Sequence, residues 1–239
     1  MARQKGIIKL SGTIGDINFY EIKGKAYARK AGGGFTGHAI KTKESMQRVR
    51  ENGSEFGHCS GVKKKVLQAF QPYILKRERA FHSKCMSLFM KLKDLDQVSK
   101  RGERFVEKGL QTPQGKRLFR EFPFGKPMKF LDDISRRWKF DAINQRLDIP
   151  SFHRSDYEGL KGAVEIKINF FLIDFNFEAL EFEKHVVDQK TLLLQAENPA
   201  LALFPPAVIP IIHTPMYYVG LEIVSGVVDK EDVLGMRVV

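Results

Sequence analysis

Between Gly6 and Ala31 the chain reads GIIKLSGTIGDINFYEIKGKAYARKA. Apolar and polar residues alternate there with the period of two that marks strands. Ile14, Asp16, Asn18 and Tyr20 are expected to face one way, with Ile17 and Phe19 on neighbouring sides of the pleat. Lys23-Gly24 is the turn signal, because glycine supplies positive φ at no steric cost. The pattern predicts a two-stranded hairpin continuing through Tyr27 and Ala28. Such a hairpin is marginal in water by itself, so its apolar side needs the rest of the chain or a second copy. Ile14, Ile17, Phe19, Tyr20 and Tyr27 are the expected subunit contacts.

The period then lengthens. Gly32 to Gly37 reads as a connector, without the GxxxxGK[ST] pattern of a phosphate-binding loop. Thr42 to Glu55 predicts a helix started by Thr42 or Ser45, with Met46, Val49 and Phe56 as its sparse apolar stripe. Asn52-Gly53 is expected to stop or kink it. Val62, Val66, Leu67, Phe70 and Tyr73 recur at spacings of three and four, up to a break near Pro72. Phe81, Cys85, Met86, Phe89, Leu92 and Leu95 line the next helix. Helical character is expected again over 97–109 and, behind Thr112-Pro113 as N-cap and first residue, over 113–122.

From Gly125 onward the period returns to two. Residues 138–141 and 146–149 predict a short hairpin. Further strands are expected over 162–175, 177–182, 191–194, 216–224 and 233–239, separated by Asn, Pro and Gly turns. The fold class is therefore α+β. A β-hairpin arm and Gly-rich linker occupy 1–41 and a basic helical region 42–124. An antiparallel β-sandwich, immunoglobulin-like in type, is expected over 125–239.

Charge sharpens this division. Of the 40 Lys+Arg and 28 Asp+Glu, residues 1–126 hold 28 and 11, whereas residues 127–239 hold 12 and 17. The front half is thus suited to a polyanion or an acidic protein face. Lys43, Arg48, Arg50, Lys63, Lys64 and Lys65 are the expected contacts to RNA or DNA phosphates, or else a solvated face paired with Glu44, Glu51 and Glu55. No run of about 20 apolar residues suggests a membrane span, and MARQKGIIKL lacks a signal-peptide apolar core. Two cysteines make no disulfide framework. The expected location is the cytoplasm, or a particle assembled there.

Candidate chemistry is thin. His82 and Cys85 lie three apart on a helix, and His58-Cys59 offers a second pair, but adjacent residues chelate poorly and Cys85 falls on the apolar face. The acidic pairs Asp132-Asp133 and Asp94/Asp96 read as helix ends or solvated groups. No HExxH or GxSxG element is present. Catalytic residues, metal, cofactor and small-molecule substrate are accordingly not expected.

The segments ARQKGIIKLSGTIGDINFY, RVRENGSEFG and VEKGLQTPQGK resemble a family of uncharacterised proteins common in Bacteroidota, over residues 1–120 above all. The resemblance implies a bacterial source and carries over no functional residue. The leading expectation is a non-enzymatic structural subunit of a self-assembling particle, filament or phage-type structure, in contact with copies of itself. The alternative is a nucleic-acid-binding protein.

Overall fold

Lys23 and Gly24 sit at φ 50° and 72°, so both central residues of this two-residue turn are left-handed, the geometry that matches the twist of the strands it joins. The strands are more numerous than the expected pair. In the computed structural model, which describes residues 2–6, 8–32, 36–74, 79–225 and 233–239, β1 (Ala2–Arg3), β2 (Gly12–Ile14), β3 (Ile17–Ile22) and β4 (Lys25–Lys30) form an antiparallel sheet in the order β1-β4-β3-β2. The added strands come from the polar ends of the pattern. Gln4 ties them together: its side chain donates to the carbonyls of Tyr27 and Leu10 and accepts the Leu10 N–H. The middle of the expected glycine connector, 33–35, lies outside the described residues.

A short α1 (Gly37–Thr42) follows, its N-terminus capped by the Thr36 hydroxyl, which accepts the Ala39 N–H at 3.2 Å. The expected helix from Thr42 is displaced: Lys43 is extended, and after one tight turn α2 runs from Gln47 to Ala69. Asn52-Gly53 does not stop it. An exposed glycine costs about 1 kcal/mol in a helix. Burial of Cys59, Val62, Val66, Leu67 and Ala69 along one stripe of α2 outweighs that.

The chain divides into two compact units, Met1–Arg50 and Glu51–Val239. Within the second, α2 is followed by α3 (Arg79–Asp94), α4 (Val106–Gln111), α5 (Pro113–Glu121) and α6 (Lys129–Ser135). The Lys76-Arg77-Glu78 run lies outside the described residues. Thr112 caps α5 as expected, accepting the Gly115 N–H at 2.9 Å. Residues 97–105 are not helical. Asp96 organises them instead, its carboxylate accepting the N–H groups of Val98, Ser99 and Phe105, each at 3.0 Å; a side-chain acceptor of this kind competes with the helix for the same donors. Helix α6 interrupts what the sequence reads as the start of the strand region.

The strands that follow are β5 (Lys139–Asp141), β6 (Arg146–Ile149), β7 (Phe152–His153), β8 (Ala163–Asn176), β9 (Glu181–Leu193), β10 (Glu197–Asn198), β11 (Leu201–Leu203), β12 (Thr214–Ser225) and β13 (Val233–Val238). They make an antiparallel four-stranded sheet, β13-β12-β8-β9, a three-stranded sheet, β11-β6-β5, and the small pair β10-β7. Of the strands expected at 177–182 and 191–194, residues 177–180 form a turn, and 181–182 and 191–193 are the two ends of one long β9.

The four-stranded sheet has a core on each face. Phe171, Ile173, Phe175, Met216 and Tyr218 pack with the helices, among them Phe70, Phe89 and Phe119. The alternate residues Ile168, Phe170, Leu172, Tyr217 and Val219 pack with Leu147, Ile149 and Leu203 of the three-stranded sheet. Residues of the three-stranded sheet thus share a core with this face, together with Phe130, Leu131 and Ile134 of α6. The other face of the four-stranded sheet is covered by helices. The helices after Arg50 and the strands after Gly125 share one core and cannot be parted without opening it.

Candidate functional site: a basic N-terminal sheet

Ala26, at 3% exposure, is the buried residue of the N-terminal sheet; Ile14 and Ile17 are 60% and 46% exposed. Register sorts its side chains, because directly opposed residues share a face. Ile14 opposes Ile17, Phe19 opposes Ala28, and Glu21 opposes Ala26. These form one face, apolar in its centre, with Glu21 near the turn and Lys30, opposite Ile17, at the far end. Asn18 opposes Arg29, Tyr20 opposes Tyr27, and Arg3 opposes Tyr27 from the other side. These form the second face.

The five expected contact residues lie on two faces. Ile14, Ile17 and Phe19 lie on the apolar face, whereas Tyr20 and Tyr27 lie on the opposite one. The turn at Gly15-Asp16 reverses the chain between Ile14 and Ile17, so continuous alternation through it assigns Ile14 to the wrong partners. Gly15 makes that turn at φ 54°.

On the second face the Tyr20 and Tyr27 rings stack with centroids 5.9 Å apart and planes 25° from parallel. The Arg29 guanidinium lies 5.5 Å from the Tyr20 ring centre, within cation–π range. Arg3, Lys25 and Arg29 are exposed. Both carboxylates of the segment, Asp16 and Glu21, lie elsewhere, in a turn and on the apolar face. Residues 1–50 hold 11 Lys+Arg against 3 Asp+Glu. Sequence reading missed Arg29 as the partner of Tyr20, and Arg3 opposite Tyr27. Counting outward from Lys23-Gly24 pairs Tyr20 with Tyr27 and Asn18 with Arg29, and that signal was available.

The other expected cations are dispersed. Arg50 donates to the carbonyls of Ile40 at 2.7 Å and Lys43 at 2.9 Å, closing the chain reversal between α1 and α2. Lys43 and Arg48 are exposed. Lys64 is exposed on α2. Lys65 lines an open hollow of about 370 Å³ shared with Asp174, Glu181 and Glu183, a setting that repels phosphate. Lys63 is half-buried.

The groups considered for chemistry are occupied in the fold. His58 Nε2 accepts the Val106 N–H at 3.2 Å, and burial holds its pKa below the ordinary imidazole value despite Glu107 nearby. Cys59 and Cys85 are buried, which pushes each thiol up to about 12. Asp94 pairs with Lys93 and Arg104, and Asp132 with Arg237. Among the described residues, no three His, Cys, Asp or Glu side chains converge on a metal-sized site, and no helix is long and apolar enough to cross a membrane. Comparison with family models, with curated proteins and with solved structures finds no match to this chain.

Proposed function

We propose that the chain is a non-enzymatic structural subunit that assembles with copies of itself through the Ile14–Ile17–Phe19 face of its N-terminal sheet. The supporting observation is the exposure of Ile14 and Ile17 at one end of that face, 60% and 46%, beside the half-buried Phe19; Ala26, toward the other end, is buried. Each such side chain gains about 1.5–3 kcal/mol on full burial, so a covering surface stabilises the sheet directly. A second copy suits the charges. Glu21 and Lys30 stand at opposite ends of the apolar centre, so two copies stacked face to face about a two-fold axis running across the strands bring the Glu21 end of each over the Lys30 end of the other. Particle, filament and phage-type structures are all built by repeating such contacts.

Light scattering of the full chain over a concentration series tests this. The expected result is a mass above that of one chain, reduced to one chain by Ile14→Asp with Ile17→Asp. Glu21→Lys alone weakens association, and adding Lys30→Glu restores it. A monomer at every concentration overturns the proposal.

A further inference from the structure

We infer that the opposite face of the same sheet, built from Tyr20, Tyr27, Arg3, Lys25 and Arg29, is a platform for single-stranded nucleic acid. The inference does not rest on assembly, since it uses the side chains that point away from Ile14 and Ile17. It also differs from phosphate contact along α2, where Lys65 stands among carboxylates.

Three features converge. First, the aromatic rings are presented on the flat surface of a sheet, in register across two central strands. The six-residue β3 and β4, at about 3.4 Å per residue, run for roughly 20 Å, and the shorter β1 and β2 flank part of that length at about 4.8 Å spacing. Two half-buried rings side by side on the central strands offer stacking positions for one or two bases. Second, cations flank the rings on both sides. Arg3 opposes Tyr27 from β1, Arg29 reaches over Tyr20, and Lys25 stands beside the turn opposite Ile22. A base on the rings thus leaves its backbone beside positive charge. Third, no carboxylate of β1–β4 shares this face. A basic face of this kind suits a polyanion, and an acidic protein surface would leave the ring faces without stacking partners. Duplexes keep their bases stacked internally, so the platform selects unpaired strands.

Fluorescence anisotropy of the full chain with labelled oligo(dT), oligo(U) and a duplex of equal length tests this. Both single strands are expected to bind at low salt, and the relative affinity of oligo(U) and oligo(dT) distinguishes RNA from DNA as the source. Three phosphate contacts give a slope of about −2 in log affinity against log salt, and Arg29→Gln makes it shallower by about 0.7. Tyr20→Ala weakens binding about tenfold while Tyr20→Phe retains it. Replacing Lys63, Lys64 and Lys65 together by Gln leaves affinity within about twofold. Should Tyr20→Ala not fold, the Arg29→Gln slope decides. Undetectable binding at low salt, duplex binding as tight as single-strand binding, or control of affinity by Lys63–Lys65 overturns the inference. Ile14→Asp with Ile17→Asp reports on assembly and Arg29→Gln on nucleic acid, so the two readings fail separately.

Discussion

Lys93 Nζ lies 2.6 Å from Glu55 Oε2, with side-chain exposures of 4% and 1%. Glu55 is the hub of a larger arrangement. Arg104 grips the same carboxylate through Nε at 2.8 Å and Nη2 at 2.9 Å, and the Gly102 N–H donates at 2.7 Å. Helix α2 is thereby fastened to the end of α3 and to the loop before α4. Burial would raise the Glu55 pKa, but Arg104, Lys93 and Gly102 together hold it at about 2.

Removing the hub charge strands two cations. Glu55→Gln should cost about 3–5 kcal/mol. Lys93→Met should cost less than half of that, because Arg104 still neutralises Glu55 with two parallel hydrogen bonds. Urea denaturation of both variants measures the order; a larger loss for Lys93→Met would show that Glu55 is not the hub.

Acid should undo the same region. Glu55 falls from 4.5 to about 2 on folding, and Asp96, held by backbone N–H groups against the effect of burial, from 3.8 to about 2. Each contribution is complete above the unfolded value and is lost as pH falls through the folded one. At about 1.4 kcal/mol per pKa unit, stability should decline by several kcal/mol between about pH 4.5 and pH 2. The decline should be visibly shallower in Glu55→Gln. An equal decline in both proteins would locate the acid sensitivity elsewhere.

The thiols predict behaviour at the opposite extreme. Cys59 and Cys85 remain protonated to about 12 in the fold but ionise near 9 when exposed. Below that value neither state is charged and the thiols are neutral in effect; above it the unfolded chain is favoured. Stability should therefore fall from about pH 9 upward. Thiol-exchange labelling at pH 8 should be slow in the native protein and rapid in denaturant, and fast native labelling would contradict the burial.

Two glycines should respond with opposite signs. A Cβ at Gly109 would sit 1.7 Å from the Leu92 carbonyl oxygen, where α4 crosses α3, whereas Gly57 on exposed α2 has open space. Gly109→Ala should lose at least about 3 kcal/mol by overpacking against backbone. Gly57→Ala should gain about 0.5–1 kcal/mol from helix propensity. Thermal melts of the two variants supply the comparison, and a stabilised Gly109→Ala would refute the close crossing.

Much of the helical layer is legible in the sequence because its stripe is purely apolar: Val62, Val66 and Phe70, or Phe81, Cys85, Phe89 and Leu92, announce both element and buried face. The hairpins around Lys23-Gly24 and between Phe140 and Leu147 are legible from turn residues and alternation. What escapes is decided by partners remote in sequence. Asp96 converts 97–105 into a loop through Phe105, nine residues on. Glu55 reads as a solvated helix residue until Lys93 and Arg104 arrive, 38 and 49 residues later. In the N-terminal sheet the turn at Gly15 moves Ile14 from the expected face of Asn18 and Tyr20 to that of Ile17 and Phe19.

Gly220 has a consequence for β12 as a whole. It lies on the strand's helix-facing side, between Tyr218 and Glu222, and a Cβ there would meet the Tyr73 ring at 2.5 Å. Its cross-strand neighbour Asn169 donates to the Tyr73 hydroxyl at 2.9 Å. Sliding the strand by one residue would bring Val219 or Leu221 beneath that ring and exchange the contents of the two cores. The missing side chain thus works as a keyway: one position along β12 admits the tyrosine, and the alignment of the entire sheet against its helices follows from it.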